Sequence, residues 1–131
     1  MKTGRLEAFS DGVIAILITI MVLEFRPPPG ADWLALRELL PSFVGYVLSF
    51  VFLGIYWSNH HHMLSMTDRA TGGVLWANLH LLFWLSLFPF ATAWVGRNHR
   101  ASVPTALYGI VAVGSSLSYV TLQATIIRHQ G

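Results

Sequence analysis

The chain has 131 residues, of which 54% are hydrophobic and 11% charged, with a net charge of +2 from eight Lys and Arg. A soluble domain carries about 25% charged residues, so this composition excludes a water-covered surface and points to lipid. The basic residues are scattered, which excludes a nucleic-acid face, and the lack of cysteine removes disulfide and thiolate chemistry.

The first apolar stretch runs from about residue 8 to 25 and is stopped by Arg26 and Pro27-Pro28-Pro29. Proline cannot continue a helix and pushes the residue before it toward extended backbone. Lys2 and Arg5 precede this stretch as they would in a secretion signal. Glu7 and Asp11 interrupt the basic region, however, and no small-residue cleavage site follows. We therefore expect the segment to stay in place as a membrane span.

Within this span Asp11 is anomalous, because an ionisable group in a membrane helix is expensive and functional by default. The alternative is that Ser10 or Asp11 caps the helix N-terminus and satisfies free backbone N–H groups. Arg5, six residues upstream, is a candidate partner for Asp11 within or between subunits. At about 100° per residue, Gly12, Ile16, Thr19, Ile20 and Leu23 share one stripe about 100° wide, and Asp11 falls roughly 140° from Ile16. Such a stripe can line a pore with branched apolar rings that gate by dewetting, one of them joined by a hydroxyl. It can equally be an ordinary packing face.

The second stretch, about residues 39–64, has Pro41 at its start, where proline is tolerated. It ends near His60-His61-His62. Consecutive histidines point around a helix in about 100° steps and do not converge on one metal. A zinc site would need help from elsewhere, and no metal site is expected from them. The third stretch, about 73–95, contains Asn78, which needs a partner because an unpaired amide in lipid costs several kcal/mol. Its Pro89 predicts a kink. The fourth stretch, about 102–127, carries Gly109, Gly114, Ser115, Ser116 and Ser118. Small residues of this kind let helices approach closely, which suits packing rather than conduction.

The predicted fold is therefore all-α: a polytopic transmembrane helical bundle with four spans in one transmembrane domain, residues 1–131. Short links make consecutive helices antiparallel neighbours. The period-two segments of a β-barrel are missing. Lys2, Arg5, Arg69 and Arg128 fall on one side and Arg26, Arg37, Arg97 and Arg100 on the other, so the positive-inside count is a tie. A phosphate-binding glycine loop, a nucleophile elbow and H-E-x-x-H are all absent, so no enzyme is expected.

The segment Arg5-Leu6-Glu7-Ala8-Phe9-Ser10-Asp11-Gly12, continuing through Ile14-Ala15-Ile16 to Val22-Leu23-Glu24, resembles the R-x-x-x-F-S-D opening of the transmembrane protein 175 family. Tyr56-Trp57-x-x-His60-His61, Trp76-x-Asn78 and Pro89-Phe90 are also similar to that family. The resemblance implies a potassium channel in the cell membrane, assembled as a homotetramer around its first helix. Potassium would be the permeant ion and no cofactor would be needed. It further implies that Ile16 is the main constriction, with Ile20 and Leu23 as further apolar layers and Thr19 as a hydroxyl layer tied to potassium preference. Arg5, Phe9, Ser10 and Asp11, with Trp57, His60 or His61, and Asn78, would form a polar network holding the pore helix. Members of this kind have six spans per subunit and four are visible here. The chain thus reads as a fragment or a shorter member, and the alternative function is a non-conducting accessory partner of a longer subunit.

Overall fold

The structure is a computed structural model that describes residues 2–130, with side chains to Arg128. Helix α1 spans Thr3–Ile20 and tightens into a 3-10 turn at Met21–Glu24. Short helix α2 is Trp33–Arg37, followed by α3 (Leu40–Ser65), α4 (Gly72–Ser86), α5 (Phe88–Arg97) and α6 (Ser102–Gln130). Four segments are long and apolar enough to cross a bilayer: Thr3–Glu24, Leu40–Ser65, Gly72–Arg97 and Ser102–Arg128.

Local sequence explains the boundaries. Asp32 caps α2 by accepting from the Ala35 N–H at 2.9 Å, and Thr71 caps α4 by accepting from the Val74 N–H. Pro41 occupies the first turn of α3. At Pro89 the third span is interrupted rather than ended. Leu87, in helical backbone conformation, separates α4 from α5 because proline has no N–H to continue the ladder. The first helix begins earlier than hydropathy indicates, at Thr3, so Arg5 and Glu7 belong to it. Ser10 and Asp11 consequently lie in mid-helix, and the capping alternative for them is excluded.

The helices pack as α1 on α3 and α4, α3 on α5, and α6 on α4 and α5. Leu6 and Ile14 of α1 and Met21 of the following 3-10 turn enter one core with Leu53, Leu81, Leu85, Phe88, Val111 and Leu122. The N-terminus of α1 is tied to the α3–α4 link, with Thr3 Oγ1 donating to the Thr67 carbonyl at 2.6 Å and Lys2 bridging Arg69. At the opposite end Arg97 Nη2 donates to Glu24 Oε2 at 3.3 Å. That pair is exposed and contributes at most about 1 kcal/mol.

Of the small residues of α6, Gly114, Ser115 and Ser118 face the bundle, whereas Gly109 and Ser116 are exposed. A Cβ on Gly114 would stand 2.5 Å from the Trp84 ring, so only glycine lets α4 and α6 approach this closely. Deeper in the bundle, Ser49 Oγ lies 2.6 Å from Thr92 Oγ1 and 2.8 Å from the Tyr108 hydroxyl, joining α3, α5 and α6. Gly114→Val should therefore lower the melting midpoint of the detergent-solubilised protein, at a cost of about 1–3 kcal/mol from overpacking. Gly109→Ala, where a Cβ meets open space, should leave the midpoint unchanged.

A candidate pore helix and its polar anchor

Helix α1 has two faces of different chemistry. On the inner face Ser10 is fully buried, and Asn78 Nδ2 of α4 donates to its Oγ at 2.9 Å. The Asn78 Oδ1 is then free to accept, and His60 Nε2 of α3 lies 2.6 Å from it. Since the amide nitrogen is already the donor to Ser10, His60 must carry a proton on Nε2. The resulting chain of two hydrogen bonds crosses three helices, and all three residues have no exposed surface. In a low-dielectric interior each of these groups would cost free energy if left alone, so the network fixes how α1 sits against α3 and α4.

Beside this network a second cluster forms between α1 and α3. His61 Nδ1 is 2.7 Å from Glu7 Oε1 and 3.6 Å from Asp11 Oδ2. The Trp57 ring stacks on the His61 imidazole at 5.8 Å and 29°. The two histidines thus take different partners, as their 100° separation requires: His60 joins Ser10 and Asn78, and His61 joins the carboxylates. His62 is exposed. Glu7 was not among the residues singled out from sequence. Its signal was the four-residue spacing to Asp11, which puts both carboxylates on one face.

Two members of the expected network stand elsewhere. Arg5 is exposed and makes no ion pair among the described residues. It is six residues from Asp11, so the two point about 120° apart around the helix. A pairing within the subunit is therefore not formed. Phe9 lies on the outer face, 47% exposed, because seven residues make nearly two turns and bring it into line with Ile16.

The outer face of α1 is apolar and unpartnered. Gly12, Ile16, Thr19, Ile20 and Leu23 are all exposed, Ile16 by 63% and Leu23 by 74%, whereas Ile14 on the inner face is 0% exposed. Thr19 Oγ1 donates its proton back to the Ala15 carbonyl at 2.9 Å, with Ile16 O at 3.2 Å. Its hydroxyl oxygen therefore presents lone pairs outward, the half of a hydroxyl that a cation recognises.

A helical bundle with four segments long and apolar enough to cross a bilayer, its first span anchored by buried polar groups on one side and bare on the other, belongs to the class of multi-pass membrane proteins. Residues 5–89 match the family described as the endosomal/lysosomal potassium channel TMEM175. A potassium channel of Chryseobacterium sp. (strain P1-3) is 54% identical over 131 residues, covering 100% of this chain and 68% of its own. One of Streptomyces collinus is 40% identical over 129 residues, covering 92% of this chain and 63% of its own. The crystal structure of a lysosomal potassium-selective channel TMEM175 homolog from Chamaesiphon minutus superposes with a TM-score of 0.84 at 30% identity, covering 98% of this chain and 74% of that one. The chain belongs to the TMEM175 family and is a multi-pass membrane protein.

Proposed function

We propose that this chain is a subunit of a potassium-selective cation channel, and that four copies surround a pore lined by the outer face of α1. One observation carries the reading: Ile16, Thr19, Ile20 and Leu23 are bare along a helix whose other face is locked by Ser10, Asn78 and His60. Four copies placed around an axis bring these side chains into rings. Ile16 forms the tightest apolar constriction, Ile20 and Leu23 form further layers, and Thr19 supplies hydroxyl oxygens that replace part of an ion's water. The named function of the bacterial relatives and of the similar solved channel supplies the ion. Opening needs no voltage sensor, since no span carries repeated arginines, and conduction is passive, driven by the ion gradient.

The test is potassium flux from liposomes containing the purified chain under a potassium gradient. Flux well above that of empty liposomes is expected. An assembled oligomer that passes no ions would sink the proposal, and a chain recovered only as a monomer or within complexes of other subunits would favour an accessory role. In the same assay Thr19→Val is expected to lower the preference for potassium over sodium while leaving the melting midpoint unchanged. Its hydroxyl bonds only its own helix backbone, so a fall in stability instead of selectivity would assign Thr19 to packing.

A further inference from the structure

We propose that Glu7 and Asp11 of α1 and His61 of α3 form a divalent transition-metal site that staples the N-terminal half of the first span to the second. The site lies within one subunit and does not depend on how subunits assemble or on what they conduct. Its three ligand atoms all lie within 4.8 Å of one another, with His61 Nδ1 at 2.7 Å from Glu7 Oε1 and 3.6 Å from Asp11 Oδ2. Ions bound at about 2.0–2.2 Å by carboxylate oxygen and imidazole nitrogen hold their ligand atoms about 3–4 Å apart. A small carboxylate rotation opens the 2.7 Å contact, now a hydrogen-bond distance, into that range.

Charge supplies a second reason. The two carboxylates carry two negative charges, and a protonated His61 offsets only one of them. Among the described residues no Lys or Arg lies within ion-pair distance of either carboxylate. Asp11 Oδ1 is shielded from solvent and has no hydrogen-bond partner. A shielded anionic oxygen calls for a cation or a donor, and a metal supplies the missing charge by displacing the proton from His61 Nδ1. The donor set selects the ion. One imidazole with two carboxylates suits the zinc, cobalt and manganese class, whereas magnesium and calcium prefer all-oxygen shells and copper(I) prefers sulfur. Trp57 stacked on the His61 ring pre-orients the only nitrogen ligand. Three protein ligands leave open positions for water.

The experiment is a titration of the tag-free, detergent-solubilised chain with Co²⁺, read by visible d–d absorption, together with thermal melting in the presence and absence of Zn²⁺. Absorption bands that saturate at one Co²⁺ per chain and a Zn²⁺-dependent rise in melting midpoint are expected. His61→Gln and Asp11→Asn should weaken Co²⁺ binding on the order of 10–100-fold or more, while His62→Gln and Glu24→Gln bind as the wild type does. Glu7→Asp, which keeps the carboxylate, should retain the bands. Unchanged metal-free melting midpoints in His61→Gln separate lost ligation from lost fold. Wild-type binding by His61→Gln and Asp11→Asn, or no saturable binding by the wild type, overturns the proposal.

Discussion

Replacing Asn78 by Ala is expected to lower the stability of the bundle by about 3–6 kcal/mol. The substitution strands two buried partners, Ser10 Oγ and His60 Nε2, at about 1–3 kcal/mol each, and opens a cavity between α1, α3 and α4. Both partners are fully buried, so water cannot replace the amide without entering the core. The measurement is the unfolding free energy or melting midpoint in detergent or bicelles. The triple change Ser10→Ala, His60→Leu, Asn78→Leu, which removes every stranded group, should recover much of the loss. If Asn78→Ala leaves the midpoint at the wild-type value, the network does not hold α1 in place.

The second large effect belongs to the outer face of the same helix. Ile16→Asn should raise ion leak through reconstituted liposomes at least about tenfold, equivalent to about 1.4 kcal/mol off the barrier, and weaken the preference for potassium. A polar ring wets a constriction that branched apolar side chains keep dry. The melting midpoint should barely move, because Ile16 touches little of its own subunit. Ile14→Asn, two residues away and fully buried, should instead unfold the bundle by placing an unpaired amide in the core. These opposite outcomes at neighbouring positions distinguish a pore face from a packing face. Equal destabilisation by both, with no change in leak, would assign the whole helix to packing.

How the two faces came to differ shows what could be read in advance. Helical geometry separated Asp11 from Ile16 by about 140°, and the bundle places those residues on different sides of α1 as that angle requires. Asn78 was expected to need a partner and has two. The family resemblance names Ser10 and one histidine in the same network, but which atoms pair is not legible in the sequence, because Ser10 is 68 residues away along the chain and reaches Asn78 only once α1 lies against α4. Hydropathy marks the start of α1 late, because it senses only the edge of the apolar run. Arg5 and Glu7 extend the helix beyond that edge without changing its hydrogen-bond ladder.

The same division runs through the whole chain. Its sequence by itself determined four apolar helices and their breaks, since lipid demands about 20 apolar residues per span and prolines end or bend the ladder. It also determined which residues share a face of α1, a matter of 3.6 residues per turn. Only the tertiary structure decided which face is buried, which of two adjacent histidines meets Asn78 and which meets Glu7 and Asp11, and that Arg5 stands apart from both clusters. Those choices depend on contacts between helices distant in sequence, where close packing and the cost of unpaired polar groups act together.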